Sequence, residues 1–356
     1  MKMIVRRTAL AVCTLVLAVI LSTAASAACT GFDEVPETAD CYESVMYLAE
    51  CEIVAGTGND CFSPEQLITV EQWAVMLCRA YGAETIGDSW QDVGRSSVVE
   101  AYRQGWLNET ALSAPRSPMC RSVLVESAFA AADVPVYDST LYEGGTSLST
   151  ADNILRAGRE LGLCSDDADT NALVTRGDAA IILHVVLTQS FRIEEPPVPV
   201  TLVNAAGVNV NDYLLALRQV PEPVLATFNA TGWTYRIDFD YISELSKQLN
   251  MSCIGATNYS QKTIYLSDAS ATLHEFGHFL DGQLGFPAEH EQLYLAEAQN
   301  SGLRNYAKTN AREYFADSFD YWIVYSGSEK RMETFRNAPP QTCAYMKKLA
   351  TNNWGA

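Results

Sequence analysis

The hydrophobic positions in the C-terminal half of the chain change period at one place. Thr263–Leu266 has the apolar and aromatic composition of a buried strand, and the apolar residues that follow recur at helical spacing. These apolar residues are Ala271, Leu273, Phe276, Phe279 and Leu280. Ser267 or Asp268 stands where a side chain can cap a helix. The pattern predicts a strand followed directly by an amphipathic helix.

A second helix is predicted further along the chain by one apolar stripe, formed by Phe315, Phe319, Trp322 and Ile323. Thr309 precedes this stripe at the position of an N-cap. The same spacing places Glu313 and Asp317 one turn apart on one face. Two carboxylates at this spacing repel each other, so the pair requires either exposure to solvent or a cation.

The remaining pattern of the C-terminal half predicts an α+β architecture, a small twisted sheet with helices on both walls of a cleft. Further helices are predicted at 211–227 (interrupted by Pro221 and Pro223), 241–249, 288–300, 330–335 and 342–351, and further strands at 233–238 and 253–256. Residues 253–257 are predicted to form the edge of the sheet over the cleft. An extended peptide could add to such an edge through backbone hydrogen bonds.

The N-terminal half repeats its pattern loosely, with a period of roughly 50 residues. Each repeat opens on a short apolar and acidic segment, continues with a helix that ends in a turn, and closes with a second helix. The openings are at 32–35, 90–93 and 136–138. The sequence therefore predicts an all-α domain of three repeats at 28–190, a stiff proline-rich linker at 191–201, and a second domain at 202–356.

The first residues have the pattern of a secretory signal peptide. A basic segment at 2–7 precedes an apolar run at 9–21, and Ala25-Ser26-Ala27 offers a cleavage site. We expect residues 1–27 to be removed and the protein to be secreted. The run is short for a retained anchor, and no later segment is long enough to span a membrane, so no span is expected in the mature chain. Lipidation of Cys29 is an alternative, which Ser26 disfavours.

The composition is acidic, with 24 basic and 43 acidic residues and a formal net charge of −19. This charge makes nucleic acid and anionic lipid surfaces poor partners. The chain has ten cysteines, and in a secreted protein some of them should form disulfides. The first repeat is the richest in cysteine, with Cys29, Cys41, Cys51, Cys61 and Cys78. Cys253 and Cys343 are a further candidate pair, but the sequence does not establish connectivity.

One pentapeptide, His274-Glu275-Phe276-Gly277-His278, carries the strongest chemical signal and lies on the first predicted helix. Residues four apart share a helix face, so His274 and His278 can bind one metal ion while Glu275 faces a bound water. The chain has only four histidines, which disfavours a chance pair in solvent. Gly277 weakens a helix and is tolerable if another element approaches closely there.

The third ligand is predicted on the second helix. A histidine six residues after His278 is absent, since Leu284 stands there. If Glu313 binds a metal ion and Asp317 accepts a hydrogen bond from a ligand imidazole, the metal ion is the cation that this acidic pair requires. These residues predict one zinc ion per chain.

The segments HEFGHFLD and NYAKTNAREYFADSF, followed by RNAPP, resemble the catalytic domain of the anthrax-lethal-factor-type metallopeptidases. That family includes secreted Pro-Pro endopeptidases, and the resemblance covers roughly residues 200–356. It implies a gluzincin-type fold with three zinc ligands, His274, His278 and Glu313. It also implies Glu275 as general base and Tyr306 as the tyrosine that stabilises the oxyanion. Asp317 departs from the glutamate usual at its place, and a shorter acid has a shorter reach.

The three N-terminal repeats resemble S-layer homology repeats, which attach exported proteins to bacterial cell-wall polysaccharide. Thr175-Arg176-Gly177-Asp178 keeps the family's Thr-Arg motif, whose arginine helps to bind an acidic wall polymer. Val70 replaces this arginine in the first repeat, and only Arg121 is nearby in the second. The resemblance implies cell-wall polysaccharide as a partner of residues 28–190. A helical spacer that only holds the second domain off a surface is the alternative.

The sequence as a whole predicts a secreted, cell-wall-associated zinc endopeptidase that acts on proteins or peptides, with Pro-Pro bonds as candidate cleavage sites. The main alternative is a wall-binding surface protein whose peptidase domain is vestigial. A gluzincin peptidase of another family is a third hypothesis.

Overall fold

The computed structural model of the protein describes residues 2–4, 32, 34–57 and 61–355. The chain divides into two compact units, Met1–Pro196 and Pro197–Ala356. Apart from the three residues at 2–4, the expected signal peptide lies outside the described residues, and so does Cys29.

The N-terminal unit consists mainly of helices. They are α1 (Tyr42–Glu50), α2 (Val70–Tyr81), α3 (Trp90–Arg103), α4 (Glu109–Ser113), α5 (Arg121–Ala131), α6 (Thr150–Glu160) and α7 (Arg176–Thr188). Most of these helices begin at a side chain that accepts a hydrogen bond from a free backbone N–H of the first turn. The capping residues are Thr69, Ser89, Asn108, Ser149 and Thr175. One short antiparallel ladder also occurs, between β1 (Lys2–Ile4) and β2 (Arg192–Glu194).

Three isolated β-bridges join the segments that precede α2, α5 and α7. The bridges pair Leu67 with Thr175, Thr69 with Pro118, and Cys120 with Leu173. Each segment is therefore paired with both of the others, and the three segments form a closed set. In each case a helix begins directly after the bridged segment.

The arginine of the Thr-Arg motif is buried. Arg176 is 6% exposed and donates a hydrogen bond from Nε to the carbonyl oxygen of Phe62 at 2.8 Å. Its guanidinium carbon lies 4.7 Å from the centroid of the Phe62 ring. Burial lowers the pKa of Arg176. This side chain links the start of α7 to Phe62, which precedes α2, and offers almost no surface to a polymer.

The C-terminal unit contains a four-stranded sheet of order β3–β4–β6–β5. The strands are β3 (Leu202–Asn204), β4 (Thr234–Ile237), β5 (Gly255–Asn258) and β6 (Thr263–Leu266). β3, β4 and β6 are parallel, whereas β5 runs antiparallel to β6 at one edge. Every residue of β6 is buried, as expected for an inner strand covered on both faces.

Eight helices surround this sheet in the described part of the unit, and the small sheet with many helices agrees with the α+β prediction. They are α8 (Asn211–Leu217), α9 (Glu222–Ala230), α10 (Phe239–Leu249), α11 (Thr272–Gln283), α12 (Ala288–Glu297), α13 (Ala311–Tyr325), α14 (Glu329–Asn337) and α15 (Pro340–Thr351). The helical segment predicted at 211–227 is divided into α8 and α9. Pro223 lies in the first turn of α9, where a missing N–H is tolerated.

Helix α11 lies between the sheet and α13. On the sheet side, Phe276 stacks on Tyr235 and contacts Phe228. On the other side, a Cβ at Gly277 would lie 2.7 Å from the Cα of Ala316 in α13. The close approach inferred from Gly277 is therefore present, and it brings the backbones of α11 and α13 together.

The expected disulfides are absent among six described cysteines. Free thiols are present at Cys41, Cys78, Cys120, Cys164, Cys253 and Cys343. The candidate pair Cys253 and Cys343 is therefore not bonded.

Candidate metal centre

Helices α11 and α13 bring together His274, His278 and Glu313, whose potential ligand atoms all lie within 4.8 Å of one another. The Nε2 atoms of the two histidines are 3.1 Å apart, and each is 3.1 Å from Oε2 of Glu313. Ligands of a tetrahedral zinc ion with bonds of about 2.0–2.1 Å are separated by about 3.3 Å. The three atoms therefore have nearly the spacing of three zinc ligands.

Local capping fixes the start of α13 and with it the position of Glu313. Asn310 is the N-cap, and its Oδ1 accepts hydrogen bonds from the backbone N–H groups of Arg312 at 3.0 Å and Glu313 at 3.1 Å. The prediction of Thr309 as the cap is wrong by one residue. Glu313 also lies in the first turn, where the helix dipole favours a carboxylate.

The cap predicted before α11 serves a different element. Asp268 accepts from the N–H of Ser270 and begins a single 3-10 turn, Ala269–Ala271. Helix α11 follows that turn with Ala271 at its N-cap position and no capping side chain.

Asp317 holds one imidazole in place. Its Oδ1 accepts a hydrogen bond from Nδ1 of His274 at 2.7 Å, so the proton resides on Nδ1 and Nε2 is directed at the cluster. The carboxylate reaches His274 although it is shorter than a glutamate. Burial alone would raise the pKa of Asp317, but hydrogen bonds from His274 and Arg304 lower it below its usual range.

Without a metal ion, the cluster binds a proton strongly. Burial disfavours the charged form of His274, but its hydrogen bonds to Asp317 and Glu313 prevail and raise its pKa to about 9. Burial likewise opposes the charged form of Glu313, yet hydrogen bonds to His274 and His278 lower its pKa. The arrangement thus favours positive charge between the two helices, as a cation site should.

Glu275 lies on the sheet side of α11 and is 5% exposed. Its Oε2 accepts a hydrogen bond from Oγ1 of Thr257 at 2.7 Å. Thr257 belongs to the edge strand β5, so this bond connects the first turn of α11 to the sheet.

Tyr306 lies in the 3-10 turn Asn305–Lys308 that precedes α13. Its ring centroid is 6.0 Å from that of His274, and the side chain is 39% exposed. Burial and the nearby carboxylates of Glu313 and Glu275 raise the pKa of Tyr306 to about 12. The phenol therefore stays protonated at neutral pH and can donate a hydrogen bond.

All five of these side chains, His274, Glu275, His278, Tyr306 and Glu313, line one cleft of about 640 Å³. The edge strand β5 and the two residues before it form the other wall, through residues 253–257. Asp317 lies behind the cleft, where its partners bury it. Asp320, one turn further along α13, lines the cleft, and burial together with the charge of Asp317 raises its pKa.

The outer edge of β5 has free backbone groups. Ser267 donates to the carbonyl of Ile254 at 2.9 Å, and pairing then alternates along the antiparallel ladder. Gly255 and Thr257 consequently direct their N–H and C=O groups away from β6. No other described strand pairs with that edge.

Sequence reasoning missed two residues of the site, Arg304 and Thr257. Arg304, directly before the turn that contains Tyr306, donates to Asp317, and no local pattern links these positions. Thr257 was placed on the edge strand, but its contact with Glu275 depends on the distance between β5 and α11. Gly255 and Thr257 share one face of that strand, and the small residue at 255 is the only local signal that another element approaches this face closely.

Residues 239–349 match the family model described as "Anthrax toxin lethal factor, N- and C-terminal domain". This segment of the C-terminal unit is similar to the lethal-factor family. The match spans the zinc-ligand candidates and both helices that position them, and it covers less than a third of the chain. A search of curated proteins finds no match. The lethal-factor-like region begins at the first residue of α10, so β3 and β4 lie outside the matched segment.

Proposed function

We propose that the C-terminal unit is a zinc-dependent endopeptidase. One observation carries the proposal: two imidazole nitrogens and a carboxylate oxygen converge at zinc-ligand spacing in the same cleft as Glu275 and Tyr306. The lethal-factor-like match supports a protease relation for this unit. His274, His278 and Glu313 would hold the ion, and their donor set of two nitrogens and one oxygen suits zinc and leaves a fourth position open.

A zinc ion at this site would polarise the peptide carbonyl and lower the pKa of a water molecule to about 7. Glu275 accepts the proton of the attacking water and delivers it to the leaving amine, which requires an ionised carboxylate beside the ligands. Tyr306 donates its phenolic proton in a hydrogen bond to the developing oxyanion. Asp317 keeps the proton on Nδ1 of His274, so that Nε2 presents its lone pair.

The substrate that suits this cleft is an extended polypeptide. The free N–H and C=O groups of Gly255 and Thr257 can pair with a peptide backbone, as in other cases of strand addition to a sheet edge. Backbone pairing of this kind is independent of substrate sequence. Cleavage at Pro-Pro bonds is a narrower proposal that rests on the family resemblance.

The test is to measure zinc content and cleavage of a peptide library for the wild type and Glu275→Ala. We expect one zinc ion per chain in both, with cleavage only in the wild type. Glu289→Ala, an exposed acid on α12, is the matched control and should retain both properties. A wild type that binds zinc but cleaves nothing would favour the vestigial-domain alternative. A wild type without zinc would refute the proposal.

For the N-terminal half we propose secretion through residues 1–27 and attachment of residues 28–190 to cell-wall polysaccharide. Both rest on the sequence pattern and its resemblance to S-layer homology repeats. Because Arg176 is buried, any attachment would use other side chains, and Arg121 at the start of α5 is more exposed than Arg176 at the start of α7. Co-sedimentation of the mature protein with purified cell walls, compared with Arg121→Ala, tests the attachment. In the described part of the chain, no helix combines the length and hydropathy that crossing a bilayer requires.

A further inference from the structure

We propose that the edge strand β5 positions the general base, with Thr257 holding the carboxylate of Glu275 and Gly255 leaving the space that this carboxylate occupies. The inference rests on the proposed function and adds two positioning residues to it. Neither residue takes part in the reaction itself, and both act through Glu275.

The first observation is the hydrogen bond of Thr257. Its Oγ1 lies 2.7 Å from Oε2 of Glu275 and 3.1 Å from the backbone carbonyl of the same residue. The hydroxyl has a single proton, and the shorter contact to the charged acceptor is the stronger bond. Among the described residues, Thr257 is the only donor to the Glu275 carboxylate. Its loss would free the side chain to rotate.

The second observation is the space at Gly255. A Cβ at this position would lie 2.7 Å from Oε1 and 2.9 Å from Cγ of Glu275, and 2.9 Å from the Cβ of Ala271. Real Cβ atoms do not approach other atoms so closely, so any side chain at position 255 would displace the carboxylate or the strand. The backbone of Gly255 has no positive φ, so its conformation does not require a glycine. The close approach of α11 does.

The two observations share one geometric cause. In a strand, residues 255 and 257 face the same side, which here is the side of α11. The same two residues direct their backbone groups to the open edge, where a peptide would pair. Gly255 and Thr257 therefore set the position of the base and of the substrate backbone together. Such mutual orientation of reacting groups can lower a reaction barrier substantially.

The experiment compares Thr257→Val, Thr257→Ser and wild type in steady-state kinetics, with zinc content measured on each sample. Valine keeps the shape and removes the donor. We expect kcat to fall roughly 10- to 100-fold, the effect of losing a hydrogen bond to a charged group. KM and zinc content should stay near wild-type values. Thr257→Ser keeps the donor and should restore kcat to within about threefold of wild type.

Thr263→Val is the matched control. Thr263 is a buried threonine of the neighbouring strand whose hydroxyl donates to the carbonyl of Gln261, away from Glu275. Its loss should leave kcat unchanged. An equal fall in kcat for Thr263→Val and Thr257→Val would assign the effect to a weakened sheet and overturn the inference.

Gly255→Ala provides a second route to the same result. We expect it to lower kcat at least tenfold at unchanged zinc content, whereas Gly327→Ala, at a glycine with open space around it, should have no effect. Wild-type kcat in both Thr257→Val and Gly255→Ala would overturn the positioning role and leave the peptidase proposal intact. Absence of zinc-dependent cleavage in the wild type would overturn both.

Discussion

Arg304 donates two parallel hydrogen bonds to Asp317, from Nε to Oδ2 and from a terminal nitrogen to Oδ1, each at 2.6 Å. Asp317 in turn accepts from Nδ1 of His274. A bidentate pair of this kind fixes the plane of the carboxylate as well as its position. Arg304 therefore helps to set the orientation of His274 through Asp317. It does so without contacting Nε2, the atom of His274 that is directed at the cluster.

Arg304→Ala should weaken zinc binding roughly 10- to 100-fold, the usual effect of removing the support behind a histidine ligand. Arg304→Lys should have an intermediate effect, because an ammonium group cannot form the two parallel bonds. Competition with a chromogenic chelator measures the affinity. Arg331→Ala, at an arginine that stacks on Tyr325, is the control and should bind zinc normally. Normal affinity in Arg304→Ala would show that Asp317 needs no support.

Glu313→Ala should lower zinc affinity by an order of magnitude or more, because it removes a ligand atom. Asp317→Ala should lower the affinity about 10- to 100-fold, since both histidines and Glu313 remain. Glu291→Ala, an exposed acid on α12, is the control. The measurement is zinc occupancy after dialysis of dilute protein, and full occupancy in Glu313→Ala would refute its assignment as a ligand.

Tyr306→Phe should reduce kcat roughly 100-fold with little change in KM, because the phenol acts on charge that develops only in the transition state. Steady-state kinetics on one peptide substrate measures both parameters. Tyr325→Phe removes a hydroxyl outside the cleft and should behave as wild type. An unchanged kcat in Tyr306→Phe would leave Tyr306 as a packing residue.

The metal-free protein should lose stability as pH rises from about 6.5 to 9. His274 has a raised pKa of about 9, so its contribution is complete below the ordinary value of 6.5 and disappears as the folded form deprotonates. The expected loss is on the order of 3 kcal/mol for the unfolding transition of the C-terminal unit. Denaturant unfolding after chelator treatment measures it.

Glu313 and Asp317 do not produce this slope, because lowered pKa values make their contributions disappear only at acid pH. The zinc-loaded protein is the control for the alkaline slope. Zinc replaces the proton on Nε2 of His274, so the stability of the zinc-loaded protein should vary little over the same range. A metal-free protein equally stable at pH 6.5 and pH 9 would contradict the predicted protonation of His274.

Gly277→Ala should destabilise the C-terminal unit by about 1–3 kcal/mol, because the added methyl group meets the backbone of Ala316, which cannot rotate away. Thermal unfolding of the zinc-loaded protein measures the change. Gly327→Ala adds a methyl group in open space and should shift the midpoint little. Equal midpoints for Gly277→Ala and wild type would show that the two helices can move apart at no cost.

The local pattern of the sequence was sufficient for the elements that carry the site. The strand Thr263–Leu266 has the predicted bounds, and the helix that follows it has the predicted apolar face. The close approach at Gly277 was also inferred correctly. These features depend on periodicity and on single residues with strong conformational preferences, both of which can be read along the chain.

The sequence did not predict features for which two neighbouring residues are equally suitable, or features that depend on partners distant in the chain. Asn310 and Thr309 are both good N-caps, and only the tertiary structure selects Asn310. The bonds from Arg304 to Asp317 and from Thr257 to Glu275 join separate elements, and no period encodes them. The three bridges of the N-terminal unit involve single residue pairs, too short to show strand alternation.

The closed set of bridges in the N-terminal unit constrains the order of events during synthesis. Repeat proteins with open ends can fold one repeat at a time as the chain emerges. Here Leu67 pairs with Thr175 and Cys120 pairs with Leu173, so a nascent chain that ends before Leu173 can form only one of the three bridges. The two remaining bridges also require the closure of long loops, which costs entropy and slows folding. The unit should therefore complete its folding only after Leu173 and Thr175 have left the ribosome, and a chain truncated before that point would be a substrate for proteases.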